Sequence, residues 1–199
     1  MRVATVALIM GGMSLVGAIS GSGQESSEGD GPRYENERNL VRPDQYRDWS
    51  FLSSGLGMTY EVDRAESRGR PELFQNVFVN PSSYRGFMET GRWPDGTVFV
   101  LELREAKSEE SINRLGRFQG DLFALEAEVK DARFEDGWAF FDFGRAGSLV
   151  DVAEPLSGKS VTRCVECHTA HTAVERTFVQ FYPTLYQVAQ EKGTLNPGF

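Results

Sequence analysis

The chain has 199 residues, of which 40% are hydrophobic and 25% charged, an ordinary composition for a single globular domain. Its formal net charge is −8. So acidic a surface argues against nucleic acid and anionic lipid as partners. It suits a basic protein partner, although acidity is also a common way for a protein to stay soluble.

The N-terminus has the pattern of a secretory signal. A positive charge at Arg2 is followed by an apolar run over residues 3–19 and then by small and polar residues. We therefore predict a signal peptide at residues 1–20 and a secreted or periplasmic protein, the alternative being an uncleaved anchor. Residues 21–41 are rich in Gly, Ser and Glu and predict a flexible lead-in.

The elements predicted after the lead-in begin and end with helices and have strands between them. In chain order they are a helix at 42–54, a charged loop at 61–71, a strand at 73–79, a helix at 81–90, a turn at 92–96, a strand at 97–103, a charged loop at 104–118, strands at 122–129 and 138–143, a long connection at 144–163 and a helix from 164 to 192 kinked at Pro183. This order predicts an α+β fold, mainly an antiparallel β-sheet with flanking helices and a C-terminal helix, in one domain at 42–199.

The chain's only two cysteines lie in a Cys-x-x-Cys-His motif, Cys164-Val165-Glu166-Cys167-His168. In this motif two thiols add across the vinyl groups of haem, and the histidine that follows is directed at the iron. The motif therefore predicts one covalent haem c, bound through Cys164 and Cys167, with His168 as axial iron ligand. Arg163, just before the motif, is a candidate partner for a haem propionate.

Two other sites use the same residue types. A redox dithiol is expected early in a βαβ unit, whereas this motif lies in the last fifth of the chain. A zinc site would use Cys164, Cys167, His168 and His171. Since His171 is three residues from His168, it cannot reach the opposite side of the iron from the same helix, and we expect it at the surface or near a propionate.

The sixth iron ligand is not evident from the sequence. After removal of the signal, the remaining methionines are Met58 and Met88, and neither follows the haem motif. We therefore expect an open or water-bound sixth position, which binds small molecules such as NO and CO. A filled position would mainly pass electrons.

Several further motifs, taken in order, resemble the cytochrome P460 family. They are Val77-Phe78-Val79-Asn80-Pro81-Ser82-Ser83-Tyr84, Trp93-Pro94-Asp95-Gly96-Thr97-Val98, Gly137-Trp138-Ala139-Phe140 and Phe178-Val179-Gln180-Phe181-Tyr182-Pro183. The resemblance spans roughly residues 42–190. It implies a mostly antiparallel β fold, often a homodimer, with a five-coordinate c-type haem.

One position departs from the hydroxylamine-oxidising members of that family. Those members carry a lysine, cross-linked to the haem, in the strand after Asp-Gly-Thr-Val, where this chain has Leu101. Lys107 lies six residues farther on and is a poor substitute. Without an amine the cross-link cannot form, so the resemblance shifts towards the cytochrome c′-β branch, which binds NO and CO above an apolar distal face.

The distal face itself is predicted from strand alternation. Phe99 and Leu101 share one face of their strand, and Phe74 and Phe78 are candidates for aromatic cover, the alternative being that all four belong to the core. Such an apolar lining would admit diatomic gases and would offer no general base.

Three functions follow from the sequence. The first is a non-catalytic cytochrome that binds small gases. The second is an oxidoreductase acting on hydroxylamine or a similar nitrogen compound. The third is a plain electron carrier, which would need Met58 or Met88 as sixth ligand. The corresponding partners are a gaseous or nitrogenous small molecule and a redox protein.

Overall fold

The computed structural model describes Met1 and residues 29–58 and 71–199. Apart from Met1 and Pro71, the predicted signal peptide and the charged loop at 61–71 therefore lie outside the described residues. In chain order the elements are β1 (Tyr34–Glu35), β2 (Asn39–Val41), a 3-10 turn (Tyr46–Asp48), β3 (Ser50–Leu56), β4 (Leu73–Val79), α1 (Pro81–Thr90), β5 (Thr97–Lys107), β6 (Phe118–Lys130), β7 (Trp138–Arg145), β8 (Val152–Ala153), α2 (Gly158–Ala170), a 3-10 turn (Val179–Phe181) and α3 (Pro183–Lys192).

Two antiparallel sheets organise the described part of the chain. The larger has five strands in the order β3-β4-β5-β6-β7, and the smaller has the order β1-β2-β8. The predicted α+β fold with a mainly antiparallel sheet is confirmed. Strands β5 and β6 are longer than predicted, because they continue to pair as far as Lys107 and Phe118. Helix α1 has its predicted bounds, with a proline in its first turn and Gly91 ending it at φ 71°.

The large sheet is covered on both faces. On what we call the N-terminal face, Val98, Val100 and Phe141 pack with Leu40 of β2. On what we call the helical face, a second buried cluster consists of Val79 and Phe99 of the sheet, Phe87 of α1, Trp93, and Leu185 and Ala189 of α3. Because side chains alternate along a strand, neighbouring residues of β5 belong to different cores. The helical face carries the candidate site.

The helix predicted at 42–54 is wrong. Instead the segment forms the 3-10 turn followed by strand β3, which pairs with β4 from Ser50 to Leu56. Phe51 packs edge-on against Phe78 at 5.4 Å between ring centroids, and Tyr46 is buried. Pairing and burial supplied by the rest of the fold thus override a weak local helical pattern.

The described part of the predicted lead-in is structured. Residues 29–41 contain β1 and β2, and Leu40 is 1% exposed. Leu40 pairs with Ala153 of β8, within the connection predicted at 144–163. The folded domain therefore begins before residue 42.

The C-terminal region is two helices rather than one kinked helix. Helix α2 begins at Gly158 and ends at Ala170, and α3 begins at Pro183, which suits a first helical position. Between them the chain turns back, and Glu175 has φ 51°. The Thr172 hydroxyl donates to the His168 carbonyl at 2.7 Å, satisfying a carbonyl at the end of α2.

A buried carboxylate lies on the N-terminal face of β5. The Glu102 side chain has no exposed surface and accepts hydrogen bonds from Tyr46 at 2.5 Å, Asn76 at 2.9 Å and Arg104 at 2.8 Å. Burial alone would raise the pKa of Glu102, but the hydrogen bonds from Arg104, Tyr46 and Asn76 together lower it below its ordinary value. The ionised carboxylate therefore stabilises the fold.

We expect Glu102→Gln to lower the free energy of unfolding by about 3 kcal/mol at neutral pH, because it leaves the Arg104 charge uncompensated. A folded-state pKa below the unfolded value means that the contribution is present above the unfolded pKa and is lost as the pH falls through the folded pKa. Urea unfolding of wild type and variant should therefore differ less in acid than at neutral pH. Glu110→Gln, in the exposed β5–β6 loop, is the control. A difference in the free energy of unfolding between wild type and Glu102→Gln that is the same in acid as at neutral pH would contradict this account.

Candidate haem site

The Cys-x-x-Cys-His residues lie in the second half of α2. Because Cys164, Cys167 and His168 are three and four residues apart on one helix, they share a helix face. Both cysteines are free thiols. Cys164 and His168 line a cavity between α2 and the helical face of the sheet. One helix thus brings two thiols and an imidazole to the same side of the molecule.

The cavity has a volume of about 930 Å³, including the space at its mouth. That figure includes open solvent, so it is an upper bound on the space available to a ligand. Its apolar walls come from the sheet and from the segment after α2, and include Val77, Phe99, Leu101, Phe140, Phe178 and Phe181. Aromatic and aliphatic walls of this kind suit a flat, largely apolar ligand.

The imidazole of His168 is fixed from three directions. Its Nδ1 lies 2.8 Å from the carbonyl oxygen of Arg176, and the rings of Phe140 and Phe178 contact it edge-on at 4.9 and 4.7 Å. Because a carbonyl only accepts hydrogen bonds, Nδ1 carries a proton, and the neutral imidazole therefore has its lone pair on Nε2. This is the tautomer that a metal-binding histidine needs, with its other nitrogen oriented by the protein.

Sequence reasoning missed a carboxylate beside this histidine. Oε1 of Glu128, on β6, lies 3.2 Å from Nδ1 of His168. The Nδ1 hydrogen points to the Arg176 carbonyl, so Oε1 is buried without a hydrogen-bond partner among the described residues. Burial raises the pKa of Glu128, with partial compensation by His168 and Arg176. Burial lowers the pKa of His168, but the Glu128 carboxylate and the Arg176 carbonyl outweigh it and the net change is upward.

Sequence reasoning also missed Glu126, which lines the same cavity. It lies opposite Leu101 in the β5–β6 pairing, and Glu128 lies opposite Phe99. Glu126 is exposed to solvent at the cavity wall, where partial loss of hydration, and then the charge of Asp142, raise its pKa. The expectation of a lining without a carboxylate is therefore wrong. The alternation in Leu125–Val129 signalled a strand, but only the pairing register shows which side its acidic residues take.

The structure separates the four predicted distal residues into two pairs. Phe99 and Leu101 line the cavity. Phe74 and Phe78 do not, which corrects the prediction of aromatic cover from these two. They lie on the alternate side of β4, where Phe78 packs against Tyr46 at 5.4 Å. In their place Val77 of the same strand contributes to the wall.

The remaining predicted residues differ in their exposure and in whether they line the cavity. Arg163 is exposed on α2 beside Cys164 and is not part of the cavity lining. His171 is exposed at the end of α2, as expected. Met88 packs against the core of the helical face, whereas Met58 lines the cavity. The Met58 sulfur lies where a Cβ on Gly55 would be, so Gly55 leaves the space that this side chain occupies.

The segment that positions the Arg176 carbonyl is itself anchored. Nζ of Lys130, on β6, lies 2.8 Å from Oε1 of Glu175 and donates to the Trp93 carbonyl at 2.7 Å. Asn196 donates to the Glu175 carbonyl at 2.9 Å. These contacts hold the chain after α2 in the turn that presents its carbonyl to His168.

The residues present fit a haem. Two thiols that can form thioether bonds to the vinyl groups, and an imidazole whose Nε2 can bind iron, are the residues of a c-type centre, and the cavity wall beside Cys164 and His168 is mostly apolar. Among the described residues, no group of three or more His, Cys, Asp or Glu side chains is arranged to hold a metal ion on its own, the four residues of the alternative zinc site included.

A Cys-x-x-Cys-His motif on a helix that faces an antiparallel sheet across a cavity defines the class as a β-rich haem protein. The sequence matches the Cytochrome P460 family over residues 43–179, and the chain belongs to that family. Membership implies a haem cofactor. None of the curated proteins searched matches the chain significantly. In the part of the chain that is described, no helix is long and apolar enough to cross a membrane.

Proposed function

We propose that this protein carries a single haem c, bound covalently through Cys164 and Cys167, with His168 as the only protein ligand to iron and the sixth position open to NO or CO. The observation that carries the proposal is the orientation of His168. Its Nδ1 is held by the Arg176 carbonyl, which leaves Nε2 available beside an apolar cavity into which Cys164 opens.

Covalent attachment follows from the chemistry of the two thiols. Each S–H adds across one vinyl C=C bond, so that a thioether forms and nothing is released. Burial, and after it the charges of Glu126 and Glu128, raise the pKa of Cys164. The thiol that faces the cavity is thus kept in its protonated form before attachment.

The choice of ligand follows from the cavity wall. When bound, the haem supplies an iron that takes up diatomic molecules. Val77, Phe99 and Leu101 are apolar and exclude charged ligands by denying them hydration. Leu101 has no amine to cross-link, which supports the gas-binding branch over the cross-linked one.

Oxidation of hydroxylamine or a related nitrogen compound is the second candidate, and Glu126 favours it. This carboxylate lies opposite Leu101 on the cavity wall, and its raised pKa suits a group that accepts a proton from a bound substrate. The reaction would also release electrons, which a redox protein would have to accept. Electron transfer alone is the third candidate, with Met58 as the residue that could fill the sixth position.

The cellular setting is part of the proposal. The apolar N-terminal segment supports export to the periplasm, where the mature domain would act. Family resemblance supports a homodimer, and the acidic surface supports docking to a basic redox protein.

The optical spectrum of the purified haem protein tests this function. We expect a high-spin ferrous spectrum with an ordinary c-type Soret band that shifts when NO or CO is added. Sharp low-spin bands that do not respond to either gas would overturn the open site and favour the electron carrier. A strongly red-shifted ferrous Soret band in the wild type would instead indicate a cross-link and favour hydroxylamine oxidation.

A further inference from the structure

The Nδ1 side of His168 faces two acceptors of different strength. The Arg176 carbonyl is 2.8 Å away and takes the hydrogen bond, while Oε1 of Glu128 is 3.2 Å away. Both acceptors lie within 3.2 Å of the same nitrogen, so they compete for its one proton. The imidazole therefore sits between a peptide carbonyl and a carboxylate.

Oε1 of Glu128 is buried and accepts no hydrogen bond from the described residues. The side chain as a whole is only 11% exposed. An unpaired buried carboxylate oxygen is costly, which favours a hydrogen bond from a donor nearby. That donor is the N–H on Nδ1 of His168.

The charge of this carboxylate is partly offset by an arginine. The Arg176 side chain attracts Glu128 electrostatically, and its Nη1 is also buried without a hydrogen-bond partner within the described ranges. Asp136 lies 3.5 Å from Nη2 of the same guanidinium. Residue 176 thus contributes a carbonyl to the histidine and a positive charge near the carboxylate.

We propose that Glu128 is a positioning residue that competes with the Arg176 carbonyl for the Nδ1 proton of His168 and so increases the electron-donor strength of the iron ligand. A carboxylate is the stronger acceptor, so the imidazole bonded to it carries more negative charge. A more electron-rich ligand stabilises ferric over ferrous iron. This inference rests on the proposed role of His168 as axial ligand.

The test is Glu128→Gln in the haem-loaded protein. The glutamine keeps the shape of the side chain and removes its negative charge, so that the acceptors near Nδ1 are then neutral carbonyl oxygens. We expect the ferrous form to gain about tenfold over the ferric form, a rise of about 59 mV in the one-electron midpoint potential. The iron–histidine stretching frequency in the resonance Raman spectrum of the ferrous protein should fall.

Glu126→Gln is the matched control, because it removes the same charge from the same wall two residues along β6. Loss of the Glu126 charge can also raise the midpoint potential of the haem, but it should leave the iron–histidine frequency unchanged. Equal frequencies in wild type and Glu128→Gln, or an equal fall in both variants, would overturn the proposal.

A conservative variant covers the case in which Glu128→Gln does not fold. Glu128→Asp keeps the charge but withdraws it from Nδ1 by one methylene, so the frequency should fall part of the way. An unchanged frequency in that variant would overturn the proposal. Haem content is measured separately and tests the proposed function, since a wild type without haem would refute that function. A haem-loaded protein whose iron–histidine frequency does not change with residue 128 would refute only the role of Glu128.

Discussion

His168→Ala is expected to retain haem on the two cysteines and to lose the spectrum of a histidine-bound iron. In the proposed centre the thioether bonds at Cys164 and Cys167 would not depend on the imidazole, whereas the iron would lose its only protein nitrogen. Removing residues around a metal ligand typically costs 10- to 100-fold, so removal of the ligand itself should change gas affinity by about 100-fold or more. Titration of the ferrous variant with CO measures this change.

His171→Ala is the control for this experiment. It removes the chain's other histidine, which is exposed at the C-terminal end of α2. Its spectrum and CO affinity should be those of the wild type. Added imidazole should restore the His168→Ala spectrum, since the space between Phe140 and Phe178 is then free to hold it. A His168→Ala protein that retains the wild-type spectrum would show that the iron has a different ligand.

Leu101→Lys is expected to convert the site towards hydroxylamine chemistry. The new amine would lie on the cavity wall opposite Glu126, whose charge compensates it across the strand pair. If the amine cross-links to the haem as the family resemblance implies, the ferrous Soret band moves strongly to the red. Hydroxylamine oxidation should then rise by about 100-fold over the Leu101 background, with Glu126 as the proton acceptor.

Two variants sharpen this prediction. Leu101→Met is a similar-sized apolar control and should keep an ordinary c-type spectrum. Combining Leu101→Lys with Glu126→Gln should retain the red shift but lose about 100-fold of the gained activity, because the general base is gone. If the double variant oxidises hydroxylamine as fast as Leu101→Lys alone, Glu126 is not the proton acceptor. A Leu101→Lys protein with an unshifted Soret band would show that this position does not reach the haem.

The Cys-x-x-Cys-His motif could be recognised in the sequence because its information is local. Three side chains at fixed spacing on one helix need no knowledge of the rest of the fold, and the same holds for α1, which is bounded by Pro81 and Gly91. Strand β4 was also predicted with its observed bounds, since a short aromatic and β-branched run ends at Asn80-Pro81.

The face of each strand could not be predicted, because it depends on register. A shift of one residue exchanges the Phe74 and Phe78 side of β4 for the side that carries Val77. For the same reason the sequence did not show that Glu126 and Glu128 share the side of Leu101 and Phe99, where both line the cavity wall and Glu126 stays exposed to solvent.

Long-range contacts decided the two misread helical segments. Residues 50–56 became a strand because β4 offers an edge to pair with, and no local pattern reports that edge. The break after α2 is stabilised by the Lys130–Glu175 ion pair and by the Arg176 carbonyl, whose partner is eight residues back on the helix. This break brings the Arg176 carbonyl to Nδ1 of His168. The orientation of His168 therefore depends on a stretch of backbone that the sequence did not predict.

The mass of the denatured protein, after expression with export and c-type haem maturation, tests the central claim most directly. One haem covalently bound to the peptide that contains Cys164 and Cys167 predicts an added mass of one haem, which survives acidic organic extraction. An unmodified mass in a preparation competent for haem attachment would contradict the claim.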